Sequence, residues 1–397
     1  MHVAVFARTY PNNVLPRFGL WVQRQTAALA RHCRMTVVAP SLYSPPLPLP
    51  EDYARFRRVE RSRFDGPVEV HHPRFLVGPG YSTYALEAIS QYLATRPLMR
   101  RLHRSRPFDV IHAHFTYPDG VASILLGREL RVPVVITEHN LWKPWMDDYP
   151  LVRRQSLWSL GRAAKVVTVS DAVRRTIEAV AKRPVPAVTM PVGVDGNEFG
   201  LRSEPLRPAD EAKLLYVGWI NYIKGVDVLL QAMPLLLRRH PQIHLTLIGG
   251  GIYRDTRRQE NSLRRMAANL GLGERVHFAG PRSPAEVSHA MRDADALVLP
   301  SRRESCGAVL LEALASGTPV VATRCGGPED IVTDSVGELA PPENPAALAE
   351  AMARVLARRA EFDAARLRDY ALSRYSWDRL AEQYFALYRA ACSGSRG

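Results

Sequence analysis

Cysteine is scarce in this chain: Cys33, Cys306, Cys325 and Cys392 are the only 4 in 397 residues. They stand too far apart for a zinc knuckle or a redox pair and fit a reducing compartment. Long apolar runs are missing too, and none approaches the about 20 residues of a transmembrane helix. Met1 leads straight into HVAVFA, without the charged and apolar regions of a signal peptide, so a cytoplasmic protein is expected. Gly249-Gly250-Gly251 is not the Gly-x-Gly-x-x-Gly order of a nicotinamide site, although three glycines after a strand let backbone approach a nucleotide. Acidic residues are the under-represented charge, 39 Asp+Glu against 53 Lys+Arg for a net +14. Residues 1–200 carry +11 of this, 27 basic against 16 acidic, which leaves +3 for the remainder. A basic first half predicts an anionic partner, such as a membrane surface or a lipid-linked pyrophosphate. No nucleic-acid motif accompanies the charge, so nucleic acid is not expected.

What is present is alternation of buried strands and helices over a length sufficient for two domains. Strands are expected at His2–Ala7, Met35–Ala39, Asp109–His114, Val132–Glu138 and Lys165–Val169, with helices at Trp21–Arg31 and, capped by Ser170, at Asp171–Val180. A polar, proline-rich linker ends near Glu204. The second half repeats βα units through Leu214–Val217, Ile243–Ile248, Val276–Ala279 and Ala296–Leu299, predicting a parallel sheet with helices on both faces. Pro345–Arg358 reads as a structural helix and Trp377–Ala391 as a final one. Ser44–Pro50 is a stiff proline-rich loop. Tyr84–Arg106 has Leu86, Ile89 and Leu93 on one helical face and arginines 96, 100, 101, 104 and 106 around and beyond Pro97. Two readings stay open for it: a basic amphipathic helix lying on an anionic membrane, or a helix packed on the sheet with a solvated charged end.

The chain is organised around residues 299–331, where Glu304 and Glu312 bracket seven residues. A strand breaks at Pro300 and Ser301, and a helix opens among the small residues around Gly307. A helix beginning near Ser305 aims free amides and a positive dipole end into the crevice beyond the strand, where a phosphate is held without a metal. Glu312 then lies about 80° round and roughly 12 Å along from Glu304. That separation lets one carboxylate reach a sugar while the other reaches a ribose.

These residues, the following ALASGTPVVAT and the Gly326-Gly327 pair resemble the donor-binding signature of family 4 glycosyltransferases (glycosyltransferase group 1), in particular members of bacterial surface-polysaccharide assembly. Similar to the family are also the SDAVRRTIEA block, Met190–Asp195 with Val192 where asparagine is common, and Tyr375 with Trp377 leading the last helix. The resemblance implies an α/β fold of GT-B type: two Rossmann-like, doubly wound parallel-sheet domains facing a cleft. The acceptor-binding domain is expected over 1–200, with helix 376–397 packing back on it, and the nucleotide-sugar domain over 201–375.

In site terms the resemblance implies catalytic roles for Lys224, Glu304 and His139. It implies donor binding by Glu312, Gly19, Gly218, Gly249, Gly250, Ser305, Cys306, Gly307 and Ala308, and an acceptor or sugar contact at His114. His114 and His139 fall at carboxyl ends of parallel strands, where open sheets bind ligands, whereas His112 reads as a core histidine. Gly19 is one glycine where relatives often carry two, and reads equally as a phosphate contact or a plain turn. Cys306 reads as packing or as a thiol activated at a helix start. Trp219 occupies the usual arginine position, leaving Lys224 to brace the diphosphate with Arg282 or Arg302 as a substitute cation. Asp293-Ala294-Asp295 reads as a helix end, and neither a metal nor a cofactor is expected.

The implied activity is transfer of a sugar, with retention, from a nucleotide-diphosphate sugar to a lipid-linked or glycan acceptor in cell-surface polysaccharide synthesis, peripheral to the inner membrane face. A sugar-nucleotide epimerase or phosphorylase of the same fold, or an inactive scaffold, are the alternatives.

Overall fold

A computed structural model describes residues 1–46, 51–78, 81–142, 145–202, 207, 211–250 and 254–394. Residues 47–50 of the proline-rich loop, the linker end at Glu204, Gly251 and residues 395–397 of the segment expected to pack back on the first domain lie outside these. The chain divides into two compact units, one of Met1–Pro191 with Trp377–Gly397 and one of Val192–Ser376.

The first unit contains β1 (His2–Phe6), β2 (Arg34–Val38), β3 (Ser41–Leu42), β4 (Ser62–Asp65), β5 (Val68–His71), β6 (Arg74–Phe75), β7 (Val110–His114), β8 (Val134–Glu138), β9 (Lys165–Thr168) and β10 (Ala187–Thr189). Eight of them form one sheet in the order β10, β9, β8, β7, β1, β2, β5, β4, while β3 and β6 pair separately. All neighbours in the large sheet are parallel except β4 against β5. β1, β7 and β8 are buried at every residue, because helices cover both faces of a parallel sheet and its strands read as continuous apolar runs. The strand order reverses at β1, so the crevice beyond the carboxyl ends of β1 and β7 is the ligand position of such a sheet.

The final helix, Trp377–Ser393, belongs to this unit. Tyr388 and Tyr384 are buried on it, and Tyr388 Oη lies 2.7 Å from His112 Nδ1. Helix Glu87–Ser105, preceded by a 3₁₀ segment at Tyr81–Leu86, packs inward through Glu87, Ala88, Gln91, Thr95 and Met99. Leu86, Ile89 and Leu93, the face singled out from the sequence, are exposed.

The second unit holds β11 (Lys213–Val217), β12 (His244–Ile248), β13 (Val276–Gly280), β14 (Ala296–Leu299), β15 (Val320–Thr323) and β16 (Gly337–Ala340). They form a parallel sheet in the order β13, β12, β11, β14, β15, β16. The reversal falls between β11 and β14, and the loops after these two strands carry Lys224 and Glu304. Asp293 and Asp295 lie at the other end of the sheet in ion pairs with Arg207, Lys213 and Arg202, which is a helix end rather than a metal motif.

Candidate active site

In the second unit, the loop after β11 is short and tightly held. Buried Tyr216 donates its hydroxyl to the Trp219 carbonyl at 2.6 Å, and Asn221 Oδ1 accepts the Lys224 amide at 3.0 Å, capping the turn Tyr222–Lys224. Gly218 ends β11 and Gly249 ends β12. A Cβ on Gly249, whose φ is +133°, would stand 1.8 Å from the Gly218 carbonyl oxygen, so the two strand ends approach as only glycine permits. Gly250 follows, near Pro281 and Glu260.

Beyond β14, Glu304 is pinned by its backbone to the loop after β15. Its amide donates to the Cys325 carbonyl at 3.3 Å, and its carbonyl accepts from Gly327 at 2.8 Å. This places the Glu304 carboxylate beside Lys224: Nζ and Oε2 are 2.5 Å apart, with the side chains 26% and 13% exposed. The ammonium and the carboxylate neutralise each other at the switch point.

The helix after Glu304 runs Ala308–Ala315, three residues later than the sequence suggests. Gly307 sits in the left-handed conformation as its N-cap and contributes no side-chain acceptor, so the first helical amides lack a side-chain cap. Ser305 and Cys306 belong to the approach loop, Ala308 is the first helical residue, and Glu312 is one turn inside. The helical geometry expected between the two glutamates therefore does not apply, since Glu304 precedes the helix. Cys306 is buried, and burial pushes its thiol up to about 12, with a lesser rise from the Glu304 charge, so the packing reading holds and an activated thiolate does not.

Arg302 does not stand in for the missing arginine. Its guanidinium is forked onto Asp227 at 2.7 and 2.8 Å, reaches Glu343 at 2.9 Å and stacks 3.8 Å over the Tyr222 ring. It also donates to the Tyr222 carbonyl at 2.7 Å, so it braces the turn that presents Lys224. Arg282 lies 3.8 Å from Glu286. Sequence reasoning missed this brace; the signal for it was Asp227, an acidic residue three places beyond Lys224. Trp219, 38% exposed, presents an indole where a cation was expected.

In the first unit, His114 and His139 come together. His114 Nδ1 lies 2.9 Å from His139 Nε2, the rings stack at 5.2 Å, and Trp21 and Phe115 flank His139 at 6.1 and 4.9 Å. Burial holds His139 at about 3, and burial with the neighbouring His112 and His139 holds His114 well below its ordinary value; both imidazoles are neutral at pH 7. Neutral rings allow one to donate and the other to accept. Burial likewise holds His112 at about 3, and it bonds Thr137 and Tyr388 as a core histidine.

Glu138 was not anticipated. Its carboxylate accepts the amides of Thr116, His139 and Asn140 at 2.9, 2.9 and 2.8 Å and thereby shapes both loops around the histidine pair. Gly19 has φ +82° and caps helix Leu20–Leu29. A Cβ there would stand 2.2 Å from the Thr9 carbonyl oxygen, so the protein's own backbone requires this glycine.

Residues 199–374 match the family described as Glycosyl transferases group 1, and residues 19–198 match Glycosyltransferase Family 4. D-inositol 3-phosphate glycosyltransferase from Saccharomonospora viridis is 32% identical over 312 residues, 73% of this chain and 72% of the relative. The protein of the same name from Frankia alni is 33% identical, over 73% and 76%. Among solved structures, sucrose-phosphate synthase from Thermosynechococcus elongatus superposes with a TM-score of 0.79 at 20% identity over 99% of both chains. Anabaena HepE in complex with UDP and glucose gives 0.72 at 19% identity over 98% of this chain and 99% of that one. The fold is that of GT-B enzymes, and the chain belongs to the group 1, family 4 glycosyltransferases.

Proposed function

We propose that this glycosyltransferase moves a sugar from a nucleotide-diphosphate sugar to a lipid-linked or glycan acceptor in cell-surface polysaccharide synthesis, with retained anomeric configuration, at the cytoplasmic face of the membrane. The observation that carries the donor half is the Lys224–Glu304 pair at the β11/β14 switch point beside an uncapped helix start. A diphosphate entering there draws the Lys224 ammonium and meets the amides after Gly307, with Gly218, Gly249, Gly250, Ser305, Cys306 and Ala308 shaping the walls. Released from Lys224, the Glu304 carboxylate accepts hydroxyls of the donor sugar, and Glu312 takes the ribose. Glu304 is a ligand in this scheme, not a nucleophile.

As the bond from the anomeric carbon to the β-phosphate oxygen breaks, charge grows on that oxygen and Lys224 stabilises it. The departing phosphate takes the proton of the acceptor hydroxyl, whose oxygen bonds to the anomeric carbon on the same face. His139 and His114, kept neutral, offer hydrogen bonds rather than charge to the sugar or acceptor. The first unit serves the acceptor and the second, which starts at Val192 rather than at 201, the donor. Gly19 contributes the turn before its helix.

Thermal stabilisation by UDP, GDP, ADP and their sugar conjugates tests this. At a hundredfold over its dissociation constant, the true nucleotide adds about 2.7 kcal/mol, and Glu312→Ala loses it. The solved complexes of HepE with UDP and with UDP-glucose make UDP the first choice. No shift with any nucleotide would favour the scaffold alternative.

A second reading of the acceptor rests on the relatives named for D-inositol 3-phosphate. A small phosphorylated polyol would satisfy the same basic first half, and product analysis with soluble and lipid-linked acceptors separates the two.

A further inference from the structure

Helix Glu87–Ser105 carries apolar residues on two faces, one turned inward with Ala88, Met99 and half-buried Leu98 and Leu102, the other exposed. Inward go Glu87, Gln91 and Thr95 with Ala88 and Met99, and Glu87 needs Arg8 at 2.9 Å to be accommodated. Outward go Leu86, 63% exposed, Ile89, 42%, and Leu93, 59%. At about 100° per residue, these three share a stripe with Pro97, Arg100 and Arg104, opposite the buried face. The stripe is apolar along its first half and basic along its second. Ser90 widens it, because its hydroxyl donates to the Leu76 carbonyl at 2.6 Å and accepts from the Leu76 amide, setting exposed Leu76 and Val77 against the apolar half. In the basic half, Arg96 and Arg100 share the carboxylate of Glu129, while Arg101 and Arg104 are exposed.

A helix already packed through Ala88, Gln91, Thr95 and Met99 has no folding reason to carry a second apolar stripe outside, and contiguous exposed apolar surface marks an interaction site. We infer that this face of helix Glu87–Ser105, with Leu76 and Val77, docks the first unit on an anionic phospholipid bilayer, the leucines entering the acyl boundary and the arginines meeting headgroups. The inference deepens the proposed membrane-face reading by assigning the surface. Two features on the molecule select the occupant. The face is a convex helix rather than a groove, which suits a plane, and its basic end, within a first half of net +11 (27 basic against 16 acidic residues), complements a negative surface and opposes a second copy of the same chain.

The test is co-sedimentation of the full chain with vesicles of equal parts phosphatidylglycerol and phosphatidylcholine, and with pure phosphatidylcholine, at low and high salt. The variants are Ile89→Glu with Leu93→Glu, and Arg101→Glu with Arg104→Glu, all at exposed positions. The expected result is salt-sensitive binding to the anionic vesicles alone, weakened at least about tenfold by either pair. Binding to neither vesicle, equal binding to both, or full binding by both variants would overturn the inference. A dimer that the Ile89/Leu93 pair dissociates would overturn it in favour of a second copy. UDP-induced stabilisation measured on the same samples separates the two claims. Vesicle binding without nucleotide binding leaves the docking face standing and removes the transferase reading, and the converse does the opposite.

Discussion

Lys224 Nζ and Glu304 Oε2 stand 2.5 Å apart although 80 residues separate them in the chain. Each is the other's counter-ion, so an anionic ligand gains Lys224 only by displacing Glu304. The two residues should therefore respond to substitution in opposite directions. Lys224→Ala weakens UDP binding and lowers turnover by about 10²–10³-fold. Glu304→Gln frees the ammonium, so UDP binds as tightly as before or more tightly while transfer still falls. Calorimetric titration with UDP beside single-turnover assays reads both, and loss of UDP affinity in Glu304→Gln would contradict the exchange.

Arg302 is a positioning residue for the same turn. Arg302→Lys cannot reproduce the fork onto Asp227, the reach to Glu343 and the stack on Tyr222 together. The expected loss is about 2 kcal/mol of stability by urea unfolding, accompanied by weaker UDP binding with unchanged affinity for the acceptor. Equal stability and equal UDP affinity would show that the turn holds itself.

The buried histidines set the acid limb of stability. Burial holds His112 and His139 at about 3 and His114 well below 6.5, while the unfolded chain protonates all three near 6.5. Below 6.5 the unfolded state binds more protons, so stability falls as pH falls, by about 1.4 kcal/mol per pH unit for each histidine kept neutral. Asp119 acts in the other direction: burial raises it to about 7, so from its unfolded value near 4 up to 7 the folded state binds the extra proton and stability falls as pH rises. The histidines outnumber it, and Tm should drop from pH 6.5 to 5. Asp119→Asn should steepen that drop, and a flat Tm profile would refute the assignment.

Tyr388→Phe leaves His112 Nδ1 buried without the 2.7 Å partner it has in the intact protein. The expected destabilisation is about 1–3 kcal/mol, read by thermal or urea unfolding, with UDP affinity unaltered because Tyr388 lies in the first unit.

The central strands were legible because a parallel sheet covered on both faces leaves continuous apolar runs, as in VIHAH of β7 and VVITE of β8. The family of the second half was legible from its motif, and residues 199–374 match the group 1 glycosyltransferase model. What was not legible depends on partners far away in sequence. Arg302 reads as a spare cation until Asp227 and Glu343, 75 and 41 residues distant, are brought to it. The helix starts at Ala308 rather than Ser305 because Glu304 bonds through its backbone to Cys325 and Gly327 and Gly307 is left-handed, so the approach loop is shaped by a later segment. The β4–β5 hairpin escaped notice because Arg63, paired with Glu60 and Asp65, interrupts the apolar pattern of an edge strand, although Asp65-Gly66 is a turn signal. Periodicity identified the two faces of helix Glu87–Ser105 but carried no information about which one turns inward.

The first unit is interrupted in the chain by the whole of the second, since Val192–Ser376 is continuous whereas Tyr384 and Tyr388 return to the core around His112 and Thr137. During synthesis the second unit is complete once Ser376 has emerged. The earlier-made strands β1, β7 and β8 meanwhile wait, with His112 lacking its tyrosine, until the last helix follows. The unit begun first in translation is thus the one closed last, and a chain ending between 376 and 384 would carry a complete second unit together with a first unit that lacks its closing helix.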